Sequence, residues 1–222
     1  MEVKPVIIFG ASDIAQLACF YFKNDSPRDV AGFTVDAEFL KGDTFCDLPV
    51  TAFETVTDRW PPASCDMFVA LSYANLNRLR RDKCAAARSK GYALASYVSS
   101  KASLWPGFEH GENCFLLEDN TVQPFATVGH NVTLWSGNHI GHHARIGDNC
   151  FVASHVVISG GVEIGDSCFI GVNATLRDHI KIGERCVIGA GCLITADAEP
   201  EGVYVGAAAE RSRVPSSRLR RI

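Results

Sequence analysis

The stretch Ile140-Gly141-His142-His143-Ala144-Arg145-Ile146-Gly147-Asp148-Asn149-Cys150-Phe151-Val152 decides the fold, because its aliphatic residues return every six positions. Extending the step in both directions gives Leu116, Val122, Val128, Leu134, Ile140, Ile146, Val152, Ile158, Ile164, Ile170, Leu176, Ile182, Ile188 and Ile194, all aliphatic. Glycine often follows, as at Gly129, Gly141, Gly147, Gly165, Gly171, Gly183 and Gly189. Four residues after most of the aliphatics stands a small or apolar residue, among them Ala126, Val132, Ala144, Val156 and Ala174. A period of six drifts around a 3.6-residue turn, so a helix cannot keep these residues on one face. A solenoid can. Three six-residue units, each a short strand plus a corner, close a triangular coil of about 18 residues, and coils stack at about 4.8 Å. The pattern predicts a left-handed parallel β-helix over residues 99–222, with aliphatics inside, glycines easing the corners and a short C-terminal tail.

The 18-residue coil puts Cys114, Val132, Cys150, Cys168 and Cys186 in one inward column. Stacked thiols suggest a metal site or a disulfide ladder, but no histidine joins the column. Cysteine is itself a small hydrophobe and suits a small-hydrophobe position. The expectation is packed free thiols and no bound metal. Asn120 and Asn138 share another inward column and are expected to form a hydrogen-bonded amide ladder.

Upstream, residues 1–98 read as a separate α/β unit. Val6-Ile7-Ile8-Phe9 is a short buried strand, followed by Gly10-Ala11-Ser12-Asp13 and a helix from Ile14 to about Lys23. Strands are expected at Val30 to Val35 and Met67 to Leu71, a helix from Leu76 to about Lys90, and a last strand at Ala93 to Val98. Alternating elements of this kind imply a small Rossmann-like parallel sheet. Gly10-Ala11-Ser12 opening a helix after a strand offers free N–H groups to a phosphate. Asp36 ends the second strand, where a ribose- or sugar-binding acid sits in such folds. Gly10, Ser12, Asp13, Asp36 and Ser72, all at the carboxyl ends of strands, are the candidate substrate-binding residues. The competing reading is that Gly10 makes a tight turn and Asp36 caps one.

The bulk composition is that of a globular protein: 222 residues, 47% apolar, 21% charged, net charge −4. This balance offers no strong pull toward nucleic acid or an anionic membrane. The Arg-rich end (Arg211, Arg213, Arg218, Arg220, Arg221) is a local exception and reads as a solvated terminus. No apolar run approaches the roughly 18 residues of a membrane span. The nine cysteines form no CxxC pair and the N-terminus enters a strand directly, so a reducing cytoplasm is expected.

Taken together, Phe9-Gly10-Ala11-Ser12, Gly32-Phe33-Thr34-Val35-Asp36 and the hexapeptide run resemble the bacterial PglD/NeuD-like sugar acetyltransferases. Gly141-His142-His143-Ala144-Arg145-Ile146-Gly147-Asp148 looks like that family's active-site segment. Ala153 to Gly161 and Phe169 to Thr175 look most like members acting on nucleotide-linked 4-amino sugars, such as the perosamine type. Val205-Gly206-Ala207-Ala208-Ala209 resembles a closing Gly-x-Pro-Ala stretch, with alanine where proline is usual. The resemblance implies a homotrimer, acetyl-CoA between adjacent β-helices, and a nucleotide-linked amino sugar held by the N-terminal unit. It also implies surface-glycan (lipopolysaccharide-type) biosynthesis.

Acetyl transfer from a thioester to an amine needs a base, an oxyanion donor and aligned reactants. His142 stands two places after inward Ile140, at a corner from which its ring projects outward, and is the candidate base. One coil later the same corner position is Gly160, whose N–H is the candidate oxyanion donor. Gly160, His155, Gly161, Val172 and Ala190 are the expected acetyl-CoA contacts, with His139 a secondary candidate. The family often has an acid after its histidine, whereas here His143 follows, so either another acid orients His142 or it works unassisted. His110, His130 and His179 read as solvated corner residues. Sugar O-acetylation of the sialic-acid type, and a non-catalytic nucleotide-sugar-binding β-helix, remain alternatives.

Overall fold

In the computed structural model, residues 3–211 and 213–218 are described; Arg220 and Arg221 of the Arg-rich end lie outside them. The N-terminal unit contains β1 (Val6–Phe9), α1 (Asp13–Asn24), β2 (Val30–Val35), β3 (Thr44–Phe45), β4 (Leu48–Ala52), α2 (Val56–Arg59), β5 (Asp66–Val69) and α3 (Arg78–Ser89). Its sheet runs β3-β4-β2-β1-β5. Four strands are parallel, but β3 pairs antiparallel with β4, so the sheet is mixed rather than wholly parallel. The expected last strand at Ala93 to Val98 divides. Leu94 makes one bridge to Met67, while β6 (Tyr97–Val98) leaves the sheet and pairs with Phe115–Leu116 in the first coil. Helix α3 starts two residues later than expected, because Asn75, Leu76 and Asn77 all take left-handed backbone at φ 50°, 51° and 64°.

From Tyr97 onward the chain winds into a left-handed parallel β-helix of two-residue strands. Partners are 18 residues apart, as in Thr121 with His139 and Thr127 with Arg145. The last coil is two residues shorter, with Val187 on Val203. All fourteen aliphatics of the six-residue series are buried in one core cluster. Burying each such side chain contributes about 1.5–3 kcal/mol, which is why so short a strand suffices.

The corners work differently from the expectation. The left-handed turn is taken three residues after the inward aliphatic, at Phe125, Asn131, His143, Asn149, His155, Ser167, Asn173, His179 and Arg185, with φ between 56° and 69°. Asparagine, histidine and serine there are turn formers whose polar side chains tolerate that conformation. The glycine answers a different need. A Cβ on Gly141 would stand 2.5 Å from the Gly160 nitrogen one coil on, so the coils could not stack.

The three faces differ in what they carry outward. The covered face presents Tyr97, Phe115, Thr133, Phe151 and Phe169. Phe115 is buried in the core cluster of the N-terminal unit, and Tyr73 packs on Phe151 and Phe169 at ring distances of 5.0 and 4.8 Å. The charged face presents Glu109, Thr127, Arg145, Glu163 and Lys181, all exposed or half-buried. The neutral face presents Ser103, Thr121, His139, Val157, Thr175 and Leu193, without a carboxylate, lysine or arginine, and Leu193 is 67% exposed.

The thiol column is core. Cys114, Cys150, Cys168 and Cys186 are buried and all nine cysteines are free. The Cys114 thiol donates to the Gly129 carbonyl at 3.1 Å and the Cys168 thiol to Gly183 at 3.1 Å. Burial pushes Cys114 up to about 11, so it stays protonated. Asn120 and Asn138 do form a ladder, but through backbone: Asn138 N–H donates to Asn120 Oδ1 at 3.3 Å and Val156 N–H to Asn138 Oδ1 at 2.8 Å.

Candidate active site

His142 lies at the corner between the neutral and charged faces, exposed, as its spacing from Ile140 requires. Its N–H donates to Gln123 Oε1 at 2.9 Å, which holds the backbone to the coil before it. Its ring lies over Gly160. A Cβ on Gly160 would fall 2.6 Å from both Cε1 and Nε2 of His142, so only glycine lets the ring rest there. Gly161 turns left-handed at φ 68° beside it, and its N–H donates to the His142 carbonyl at 2.8 Å. Among the described residues the Gly160 N–H has no acceptor. His142, Gly160 and Gly161 therefore meet at one corner, where the His142 ring lies against a glycine whose N–H is unpaired among the described residues.

His155, Val172 and Ala190 do not join them. They occupy the corner between the covered and neutral faces, on the far side of the neutral face. His155 is exposed with its ring over Gly137, and Val172 is 43% exposed. His139 lies between the two corners, on the neutral face itself. Asp148 stands at the third corner, where its Oδ1 accepts the His130 N–H at 2.7 Å and its own N–H donates to Asp166. It is a capping residue and does not orient His142. His130 belongs to the same ladder, accepting the Glu112 N–H, while His110 and His179 are exposed. No group of metal-ligating side chains occurs among the described residues.

A second candidate site opens at the carboxyl ends of β1 and β2. It is a cavity of about 520 Å³, into which Gly10, Ser12 and Asp36 all face, together with Phe39, Phe45 and Lys83. Gly10 has φ +127°, and a Cβ there would meet the Ala70 carbonyl at 2.9 Å, so the close turn between β1 and α1 requires glycine. Ser12 caps α1 in extended backbone without a side-chain hydrogen bond, leaving its hydroxyl uncommitted to the helix. Asp36 pairs with Lys83 at 2.6 Å. Asp13 and Ser72 do not line the cavity. Asp13 is the exposed first residue of α1, and Ser72 is half-buried with its carbonyl 3.4 Å from Arg80.

Sequence reasoning missed two residues of α3. Lys83 reaches the cavity with its ammonium 5.4 Å from the Phe9 ring centre, and Leu79 lies one turn before it on the same face. Arg80 points the other way, into the β-helix, and is 2% exposed. Its Nε donates to Asn131 Oδ1 at 3.0 Å, and its Nη2 to the Asn131 and Cys150 carbonyls, each at 3.1 Å. Asn113, Asn131 and Asn149 form an amide ladder beside it, and the Val69 N–H donates to Asn113 Oδ1 at 2.7 Å. Desolvation lowers the guanidinium to about 10, still fully charged at neutral pH. Helix α3 thus holds the cavity on one side and the coil stack on the other. Spacing along the helix (79, 83 against 80) carried that signal, but what each side meets depends on contacts 50–70 residues away.

Residues 125–160 and 161–196 each match the family described as bacterial transferase hexapeptide (six repeats). No curated protein sequence matches the chain. Among solved structures, PerB from Caulobacter crescentus, in complex with CoA and GDP-perosamine, superposes with a TM-score of 0.82 at 22% identity, covering 92% of this chain and 95% of that one. The acetyltransferase domain of PglB from Neisseria gonorrhoeae, in complex with acetyl coenzyme A, gives 0.80 at 20% identity, covering 92% and 97%. WeeI from Acinetobacter baumannii gives 0.77 at 19% identity, covering 92% and 97%. The chain therefore shares its fold over 92% of its length, N-terminal unit included, with these proteins.

Proposed function

We propose that this protein is an acetyl-CoA-dependent N-acetyltransferase acting on the 4-amino group of a nucleotide-linked amino-deoxy sugar, in bacterial surface-glycan biosynthesis. The observation that carries this reading is the corner where the His142 ring lies over Gly160, whose N–H has no acceptor among the described residues. The likeness to PerB, which was solved with CoA and GDP-perosamine, supports the substrate pair. Residues 1–98 would hold the nucleotide sugar and residues 99–222 the acetyl donor.

His142 Nε2 takes a proton from the attacking nitrogen as the C–N bond forms. Gly160 N–H donates to the carbonyl oxygen as negative charge gathers there. His142 then returns the proton to the departing sulfur. The residues present suit such a donor, because Gly160 and Gly161 bring no side chain to the corner and allow an extended pantetheine arm close approach.

In one chain the cavity and His142 face apart, since the N-terminal unit covers the face opposite the His142 corner. A homotrimer would remove the difficulty by bringing one protomer's His142 corner toward another's His155, Val172 and Ala190 corner. The uncharged neutral face between them suits burial against a neighbour. Nine free thiols suit a reducing cytoplasm, and no helix among the described residues is long and apolar enough to cross a membrane. The test is thiol release from acetyl-CoA with a nucleotide-linked 4-amino sugar and, in parallel, with free sialic acid. Release with the amino sugar supports the reading; release with sialic acid alone replaces it with O-acetylation; release with neither leaves a binding protein.

A further inference from the structure

The acid that would orient His142 is absent from its surroundings. Asp148 is committed to another corner, and among the described residues neither His142 nor His143 bonds to a carboxylate. What faces His142 instead is His143: the two Nδ1 atoms lie 3.2 Å apart, with ring planes at 84°. The position of His143 is itself set. Its backbone is left-handed at φ 58°, and its ring packs on Phe125, one coil back at the same corner position, at 4.8 Å and 37°. Phe125 also takes left-handed backbone, at φ 69°. The coil above brings Gly160 and Gly161 against the pair, with the His179 ring lying over Gly161, and the coil below brings Gln123, Pro124 and Phe125. The nearest charged or titratable groups along these columns are Asp178 and His179, two coils above the pair, and Arg145 on the charged face.

We propose that His143 is a positioning residue that fixes the tautomer of His142, an imidazole standing where a carboxylate would otherwise serve. The inference rests on the reading of His142 as the base. Two Nδ1 atoms at this distance share one proton in the neutral pair. With that proton on His142 Nδ1 and His143 accepting, His142 Nε2 is bare and lies against Gly160. When Nε2 takes the amine proton, the Nδ1–H to His143 becomes a charge-assisted bond and strengthens as the C–N bond forms. The C–S bond then breaks and the proton leaves Nε2 for the sulfur, which returns the pair to its starting state. A neutral imidazole is a weaker acceptor than a carboxylate, and protonation of His143 abolishes its acceptor role.

The test combines ¹⁵N NMR of the histidine rings in the free full-length protein with kinetics of two variants. His143→Phe keeps the bulk and the stack on Phe125 but has no acceptor. His143→Asn suits left-handed backbone and offers Oδ1 as an acceptor. The account expects neutral His142 to carry its proton on Nδ1 and to lose that preference in His143→Phe. It expects kcat to fall at least about tenfold in His143→Phe, the lower end of what an orienting partner contributes, with KM for the amino sugar unchanged. His143→Asn should recover most of that loss. A wild-type His142 protonated on Nε2, or His143→Phe with wild-type kcat, would overturn the proposal. If the wild type transfers acetyl to no acceptor, the base reading falls, while the NMR result still decides the tautomer.

Discussion

Replacing Arg80 by methionine tests the joint between the two halves of the molecule. The guanidinium makes three short bonds, at 3.0, 3.1 and 3.1 Å, to Asn131 and Cys150, and no carboxylate balances it. Hydrogen bonds to a charged group contribute about 1.5–3 kcal/mol each, so the three are worth about 5–9 kcal/mol. Against that stands the cost of burying the charge. The fall of the guanidinium to about 10 corresponds to about 3 kcal/mol. Methionine fills similar volume but leaves the acceptors unpaired, so the net loss is about 2–6 kcal/mol. For a chain of this length that lowers Tm by at least about 4 °C, and the urea midpoint falls with it. Arg80→Lys should recover little, because one ammonium cannot reach Asn131 Oδ1 and the Cys150 carbonyl together. Unchanged Tm in Arg80→Met would refute the reasoning and mean that the other contacts between the halves, among them Val69 with Asn113 and Tyr73 on Phe151 and Phe169, suffice to join them.

Other outcomes follow from the same geometry. Gly160→Ala drives a methyl against the His142 ring, and a displacement near 1 Å should cut kcat on the order of a hundredfold while leaving Tm nearly unchanged. Lys83→Met removes one of the two lysines that line the cavity, leaving Lys41, and calorimetry should show nucleotide-sugar affinity falling about tenfold or more. Asp25 accepts bonds from Ser100, Tyr97 and Ser99, with Tyr97 at 2.6 Å, and these hold its carboxyl down to about 2. Its folded value is below the unfolded one, so its stabilisation is present above about pH 4 and is lost as pH falls toward 2. The Tm deficit of Asp25→Asn, measured at pH 7, should vanish near pH 2.

The coil architecture was legible because every coil repeats the same local demand: an aliphatic inside, a glycine where coils approach, a left-handed turn former three residues after the aliphatic. That redundancy makes His142 and Gly160 neighbours by their 18-residue spacing alone. Asp148 shows the limit of nearness in sequence, since six residues in this fold move a side chain to another corner. His155 shows the same from the other direction. The N-terminal unit was read less completely. Gly10 and Asp36 announce the ends of β1 and β2, but in the β3–β4 hairpin that walls the cavity β3 has only two residues and β4 carries Pro49, which masks a strand. Lys83 and Arg80 lie in a helix whose charges look like an ordinary solvated surface, and only the fold reveals that one enters a cavity and the other is buried.

The central claim is best tested by following CoA release from acetyl-CoA with a nucleotide-linked 4-amino sugar, in wild type and in His142→Ala. A general base contributes on the order of a hundred- to ten-thousandfold, so the account predicts robust release by the wild type and a loss of that size in the variant. Equal rates from the two proteins would contradict it.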